Sequence, residues 1–229
     1  MTSSGRRFSP PPAALTAAGR VIVGVIVIGV LTCAYLLGIP AGRADPFDYF
    51  GYFTNLTSLL AAIVLIATGA TVLTRGSAPA WLHLARGAAA AAMLVVALVY
   101  NLVVPGTGTA PLWVSIVLHI AFPVLLLLDW LLVLDRPPLP WNRIWVVLPY
   151  PLLWLGITLI RGVADGWVPY GFLLPSRGAA QLASTVGMLL AALLVSAAVV
   201  WAMSRRQRPG TAAETPGEAS GESRVRSPK

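Results

Sequence analysis

Charged residues and cysteines are scarce in this chain. Of its 229 residues only 10% are charged, whereas 57% are hydrophobic, and the mean hydropathy is +0.80. Such a composition excludes an ordinary water-soluble globular domain and is typical of an integral membrane protein. Cys33 is the only cysteine and lies inside an apolar run, so the chain can form neither an internal disulfide nor a cysteine metal cluster.

The signatures of soluble enzymes and of common cofactor sites are also missing. There is no Cys-x-x-Cys pair, no His-Glu-x-x-His and no glycine-rich dinucleotide fingerprint, and the Gly-Thr-Gly-Thr stretch at 106–109 lacks the lysine of a phosphate loop. His83 and His119 are expected near opposite membrane faces, so we predict no haem, no metal and no other cofactor. The net charge of +8 comes from residues that flank the apolar runs, so we expect membrane lipids as partners and not nucleic acid.

Six apolar runs are long enough to cross a bilayer. A helix rises about 1.5 Å per residue, so about 20 residues cover a hydrocarbon core of about 30 Å. The predicted spans are residues 21–38, 54–74, 84–104, 112–134, 143–160 and 180–203, and Pro149 and Pro151 are expected to kink the fifth. The sequence therefore predicts an all-α, six-helix transmembrane bundle between a disordered basic leader at 1–20 and a disordered tail at 204–229.

The basic residues also predict an orientation. The basic flank of the first span and the small-x-small stretch at 42–44 resemble a signal peptide, but the long apolar run favours an uncleaved helix. If the N-terminus is cytoplasmic, every Lys and Arg except Arg43, Arg161 and Arg177 falls on the cytoplasmic side. This bias predicts that both termini are cytoplasmic.

Polar side chains of three spans are predicted to share one layer of the membrane. Thr54 begins the second span, Asn101 lies near the outer end of the third, and His119 lies seven residues into the fourth. Thr57 and Ser58 extend the polar face of the second span by one turn. An ionisable group inside a bilayer costs about 2.5–3.5 kcal/mol, so a functional site or a bonded pair is expected at His119.

Asp129 lies further along the fourth span, about 15 Å from His119 and toward the cytoplasmic side. The expected partners of its carboxylate are Arg136 or Arg143, which are near in sequence. An aromatic belt at the inner interface is expected from Trp130, Trp141 and Trp145.

Five short motifs occur in a characteristic order. They are Phe50-Gly-Tyr-Phe-Thr54-Asn-Leu-Thr-Ser58, Tyr100-Asn101, His119-xxx-Pro123-xxxxx-Asp129-Trp130, Leu159-Ile-Arg161-Gly162 and Trp167-Val-Pro169-Tyr170-Gly-Phe172. Over about residues 49–176 this order resembles the bacterial six-helix relatives of the androgen-induced and androgen-dependent integral membrane proteins. Ser58 stands where many relatives have Asn, and Gly171 and Leu174 replace an expected Pro and Asp.

The resemblance implies a chemistry and a location. Vertebrate members of that family hydrolyse fatty acid esters of hydroxy fatty acids, using a threonine at the start of the second helix and a histidine in the fourth. The matching residues here are Thr54 and His119, and the bacterial relatives imply a bacterial cytoplasmic membrane. The implied substrate is a long-chain acyl ester, which could reach a site within the bilayer directly from the lipid.

The residue types suit this chemistry. A threonine hydroxyl needs a base to become a nucleophile, and a neutral imidazole can act as that base near pH 7. The oxyanion needs hydrogen-bond donors, for which Asn55, Asn101 and Ser58 are the candidates. Asp129, Trp130, Arg161 and Tyr170 are predicted to have structural or supporting roles.

Other interpretations of the same residues remain open. Thr54 could only cap the second span, and His119 and Asn101 could only hold helices together. A proton-coupled transporter could use His119 and Asp129 as steps of a relay, and a non-enzymatic membrane protein would need neither. The hydrolase hypothesis expects the Thr54 hydroxyl within hydrogen-bond reach of a His119 ring nitrogen.

Overall fold

Six helices long and apolar enough to span a membrane make up most of the part of the chain that the structure describes. The structure is a computed structural model that describes residues 11–106 and 110–206. The spans are Ala13–Ala41, Phe53–Arg75, Ala80–Leu102, Leu112–Leu132, Trp141–Ala164 and Ala179–Met203. No strand occurs within the two described ranges. The predicted all-α, six-span, multi-pass fold is confirmed.

Within the described residues, eight α-helices form these spans and their connections. They are α1 Pro11–Gly38, α2 Pro46–Gly51, α3 Phe53–Arg75, α4 Ala80–Leu102, α5 Leu112–Ile116, α6 Phe122–Leu132, α7 Pro149–Ala164 and α8 Ala179–Met203. A π-helical segment, Val117–Ala121, joins α5 to α6. Short 3-10 helices occur at Ile39–Ala41, Trp141–Val147, Gly171–Leu173 and Pro175–Arg177.

The first helix begins earlier than predicted. Because α1 begins at Pro11, the prediction of a disordered leader is wrong for residues 11–20. Alanine is the best helix former, and Ala17 is fully buried against α3, so packing offsets the cost of ordering this segment. The rest of the predicted leader, at 1–10, and the predicted tail beyond residue 206 lie outside the described residues.

Two glycines let α1 and α3 approach closely. A Cβ added at Gly69 would lie 2.4 Å from the carbonyl oxygen of Ala17, and one at Gly24 would lie 2.8 Å from that of Ala62. Side chains larger than hydrogen would therefore force the helices apart. Small residues at membrane helix crossings stabilise the bundle in this way, since lipid chains give little hydrophobic drive for association.

The two prolines of the fifth span begin a helix and do not interrupt one. The span starts as the 3-10 helix Trp141–Val147 and continues as α7 from Pro149. Pro149 and Pro151 both lie in the first turn of α7, where backbone N–H groups have no partner within the helix in any case. The helix type therefore changes from 3-10 to α at these prolines, and the kink itself stays a prediction.

A buried ring of four charges joins three of the spans, and we call it the charge cluster: Arg20, Arg86, Asp129 and Asp135. Asp129 accepts from Arg20 Nε at 2.8 Å and from Arg86 Nη2 at 2.7 Å. Asp135 accepts from Arg86 Nη1 at 3.1 Å and also from Arg20 Nη1. The two arginines are only 3% and 2% exposed. The cluster thus connects α1 and α4 to the end of the fourth span.

The prediction that Arg136 or Arg143 pairs with Asp129 is wrong, because the packing of α1 and α4 brings Arg20 and Arg86 to its side of the helix. Burial raises the pKa of the Asp135 carboxyl, but hydrogen bonds and attraction from the two arginines outweigh it and lower the pKa to about 2.

Trp130 is part of the core and not of an interface belt. Its side chain is almost fully buried, and its indole Nε1–H donates to the Val200 carbonyl of α8 at 3.0 Å. The Arg136 guanidinium lies 3.9 Å from its ring centre, a cation–π contact. The prediction for Trp130 is therefore wrong, whereas Trp141 and Trp145 have the exposure expected of interface residues.

Candidate functional site

A cavity of about 1130 Å³ lies among the spans and contains both predicted catalytic residues. Its walls are apolar side chains of α4 and α8, such as Val95, Val99 and Leu189. The polar side chains that border it come from five segments and include Thr54, Asn55, Tyr100, Ser115, His119 and Tyr170. A large apolar pocket with a few convergent polar groups is the usual form of a small-molecule site.

Thr54 lies in the first turn of α3 and does not cap it. The N-cap residue is Tyr52, whose side chain makes no capping hydrogen bond. The interpretation of Thr54 as a helix cap is therefore wrong. The first backbone hydrogen bond at this end runs from Leu56 N to the Tyr52 carbonyl at 3.2 Å, so the N–H groups of residues 53–55 precede the helical ladder.

Tyr170 borders the same cavity near this helix end. Its ring lies edge-on to that of Tyr52, the N-cap residue of α3, with centroids 5.8 Å apart. Burial raises the pKa of the Tyr170 phenol. Because the net shift is upward, the phenol keeps its proton near neutral pH and remains a hydrogen-bond donor.

His119 lies in the π-helical segment with its ring oriented by two neighbours. Its Nδ1 is 2.9 Å from the Ser115 carbonyl oxygen, and the Tyr100 ring stacks on it with centroids 3.5 Å apart at 11°. A carbonyl can only accept, so in the neutral imidazole the proton is on Nδ1. Nε2 then carries the lone pair, to which no group of residues 11–106 and 110–206 bonds, and this is the form a general base requires.

The sequence explains why the helix departs from α geometry here. Pro123 has no N–H, so it cannot donate to the His119 carbonyl four residues earlier. The Phe122 N–H instead bonds to the Val117 carbonyl, five residues back. Asn101 Nδ2 of α4 supplies the missing donor to the His119 oxygen at 3.2 Å. π-Helical turns of this kind are frequent at functional sites.

Thr54 and His119 face the same cavity but do not bond directly to each other. Across residues 11–106 and 110–206 no hydrogen bond joins the two side chains. The expected direct contact is therefore absent, and the His119 ring bonds to the Ser115 carbonyl instead. Catalytic hydrogen bonds often tighten only when substrate is bound.

The three oxyanion candidates have different environments. Asn101 donates both of its amide hydrogens, one to the Ala97 carbonyl at 2.8 Å and one to the His119 carbonyl. Ser58 is fully buried, and its hydroxyl points to the Met93 sulfur at 3.9 Å. Neither Asn101 nor Ser58 lines the cavity. Asn55 lines the cavity and donates one amide hydrogen to the Tyr49 carbonyl at 2.8 Å. Its other amide hydrogen is available to an oxyanion.

The supporting residues also separate into two groups. Asp129 and Trp130 lie outside the cavity lining, in the charge cluster and the core. Arg161 pairs with Asp48 of α2 at 2.8 Å and with Asp165 at 3.0 Å, so it ties the loop that carries Tyr170 to α2.

The relay needed by a transporter finds no support in this arrangement. Both carboxylate oxygens of Asp129 accept from arginines, and the residue does not border the cavity that His119 faces.

Ser115 and Tyr100 are site residues that sequence reasoning did not assign. Ser115 could have been found, since it lies four residues before His119 on one helix face. No spacing rule predicts the stacking of Tyr100, because that contact depends on how α4 packs against the fourth span.

No protein-family model, curated protein or solved structure matches this chain.

Proposed function

We propose that this protein is an integral membrane hydrolase of lipid esters, with Thr54 as nucleophile and His119 as general base. The observation that carries the proposal is that a buried hydroxyl and an imidazole with a free Nε2 border one largely apolar cavity. The motif resemblance adds the class of substrate, a long-chain acyl ester. Such a molecule could move from the lipid into the cavity without crossing water.

The reaction follows from the groups present. Nε2 of His119 takes the Thr54 proton as Oγ1 bonds to the ester carbonyl carbon, and the carbonyl oxygen becomes an oxyanion. His119 then returns the proton to the leaving alcohol oxygen as its bond to carbon breaks, leaving an acyl-Thr54. Water, activated by the same imidazole, attacks the acyl group, releases the fatty acid and restores Thr54.

Hydrogen-bond donors for the oxyanion lie beside the nucleophile. The N–H of Asn55 precedes the helical ladder of α3, and the Asn55 side chain retains one free amide hydrogen. Both are near the positive end of the helix dipole, which favours a developing negative charge. Asn101 cannot serve, because both of its amide hydrogens are engaged.

Labelling with a fluorophosphonate probe tests the proposal. Wild-type protein in detergent should form a covalent adduct, and Thr54→Ala should not. Thr57→Ala is the matched control, since that hydroxyl lies one turn away and bonds to Tyr150 Oη at 2.7 Å instead of facing the cavity. Equal labelling of wild type and Thr54→Ala would refute the proposal and favour a non-enzymatic protein.

The orientation belongs to the same proposal. The excess of basic residues on one side supports cytoplasmic N- and C-termini in a bacterial cytoplasmic membrane. The end of the spans that carries Thr54 and His119 would then face the outer leaflet. Reporter fusions at the C-terminus should be active only in the cytoplasm, and activity on the outside would reverse this orientation.

A further inference from the structure

The Tyr100 ring of α4 lies flat against the imidazole of His119. The two ring centroids are 3.5 Å apart, and the ring planes differ by 11°. The hydrogen bond between His119 Nδ1 and the Ser115 carbonyl, at 2.9 Å, fixes one atom of the imidazole but leaves the ring free to turn about that atom. The stack with Tyr100 removes this freedom, so a residue of another span sets the plane of the base.

The next residue of α4 holds the main chain of His119. Asn101 Nδ2 donates to the His119 carbonyl at 3.2 Å and to the Ala97 carbonyl of its own helix at 2.8 Å. Because Tyr100 and Asn101 are adjacent in one helix, the stack and the hydrogen bond keep a fixed relation to each other. The end of α4 therefore holds both the ring and the backbone of the proposed base.

The surroundings of His119 contain little to balance a positive charge. When the imidazole takes a proton it becomes a cation, yet Nδ1 faces a neutral carbonyl, and no carboxylate bonds to the ring within residues 11–106 and 110–206. The two carboxylates among the described residues that border the cavity bond elsewhere: Asp45 accepts from the Phe47 N–H at 2.7 Å, and Asp48 pairs with Arg161 at 2.8 Å. A cation in a largely apolar cavity is costly unless a neighbouring group compensates it.

We propose that Tyr100 is a catalytic residue whose ring face stabilises the imidazolium that forms when His119 takes the Thr54 proton. The face of an aromatic ring carries partial negative charge and attracts a cation within about 6 Å of its centre. The separation of 3.5 Å lies well inside that range. The inference rests on the proposed function, because it requires His119 to be the base for Thr54. Tyr100 itself neither gains nor loses a proton, so His119 remains the base.

The attraction is stronger for the imidazolium than for the neutral imidazole, so it stabilises the transition state more than the resting site. Removing the ring should therefore slow the acylation of Thr54 by about 3- to 30-fold. Tyr100→Leu removes the ring and keeps an apolar side chain. Tyr100→Phe keeps the ring face and loses only the hydroxyl, so its rate should stay within about 2-fold of wild type.

The rate of fluorophosphonate labelling at saturating probe measures this step. In that reaction Oγ1 of Thr54 bonds to phosphorus, fluoride leaves, and His119 takes the proton. A Tyr100→Phe variant with a trifluorinated ring separates charge from shape, since fluorine withdraws electrons from the ring face and changes the size of the ring little. Gly69→Ala is the control for lost stability, because it lies in the α1–α3 contact and should lower the thermal midpoint without touching the site.

Rates and thermal midpoints are measured for wild type and all of these variants. The inference expects Tyr100→Phe to label nearly as fast as wild type, whereas Tyr100→Leu and the trifluorinated variant should both be slower. Gly69→Ala should label at the wild-type rate, and Thr54→Ala should not label.

Each contrary result has its own meaning. Wild-type labelling of Tyr100→Leu together with no labelling of Thr54→Ala would overturn the role of Tyr100 and leave the proposed function intact. Equal rates for the plain and the trifluorinated Tyr100→Phe variants would assign the ring to packing alone and overturn its catalytic role. A fall in rate for Gly69→Ala as large as that for Tyr100→Leu would trace the effect to lost stability and also overturn that role. Wild-type labelling of Thr54→Ala would overturn the proposed function and this inference with it.

Discussion

Removing one carboxylate from the charge cluster should destabilise the protein severely. Arg20 and Arg86 are almost completely buried, and each pairs with both Asp129 and Asp135. Asp129→Asn keeps the shape but leaves two positive charges facing one negative charge. Removing one partner of a buried ion pair costs about 3–5 kcal/mol. Since Asp129 is itself 17% exposed, we expect the lower end, about 3 kcal/mol.

The assay is the thermal midpoint of detergent-solubilised protein. For a chain of this size 1 kcal/mol corresponds to about 2–4 °C, so Asp129→Asn should lower the midpoint by about 6–12 °C. Asp165→Asn is the control: it removes the charge of an exposed carboxylate 3.0 Å from Arg161, and solvent screening should leave the midpoint close to that of wild type.

A double variant separates charge imbalance from lost packing. Arg86→Leu with Asp129→Leu leaves the Arg20–Asp135 pair and a balanced charge, so it should be more stable than Asp129→Asn alone. A midpoint for Asp129→Asn equal to that of wild type, or a shift no larger than that of Asp165→Asn, would refute the reasoning.

Three further predictions concern pH, backbone packing and the π-helical segment. Because the folded pKa of Asp135 is about 2 and its ordinary value 3.8, the stability it contributes should be complete above about pH 4 and lost as the pH falls toward 2; thermal midpoints across this range should fall less steeply in Asp135→Asn. Gly69→Ala should destabilise by about 1–3 kcal/mol, since its Cβ would meet the Ala17 carbonyl at 2.4 Å. Gly29→Ala, with open space around it, should cost nothing, and equal midpoints for both would contradict the close packing. Asn101→Leu should cost about 1–2 kcal/mol by leaving the His119 carbonyl without a donor. Adding Pro123→Ala, which restores an N–H, should recover that loss in the same melting assay, and no recovery would argue against this account of the segment.

Length and hydropathy predict the six spans because a bilayer imposes a minimum apolar length on any helix that crosses it. The depth of Thr54 and His119 follows from counting residues along each helix. Their presence on one cavity agrees with that count.

Counting gives height along a helix but not the direction in which a side chain points. Asp129 was therefore assigned partners close in sequence, whereas its actual partners come from α1 and α4. Ser58 lies one turn below Thr54, yet it points into the α3–α4 contact and not into the cavity. The hydrogen bond from Asn101 to the His119 carbonyl likewise depends on which helices are neighbours.

The position of the Tyr170 side chain could not be predicted, for a different reason. It lies in a loop with no hydrophobic periodicity, and its position is set by packing with Phe172, Tyr52 and Trp154. Rules based on residue spacing make no prediction for such a loop, because it has no periodic pattern. Only the motif resemblance marked this residue, as one with a structural or supporting role.

Mapping the fluorophosphonate adduct by mass spectrometry tests the central claim most directly. The account predicts a single phosphonylated residue, Thr54, whose modification is lost in Thr54→Ala and strongly slowed in His119→Ala. An adduct on another residue, or the same rate of modification without the imidazole, would contradict it.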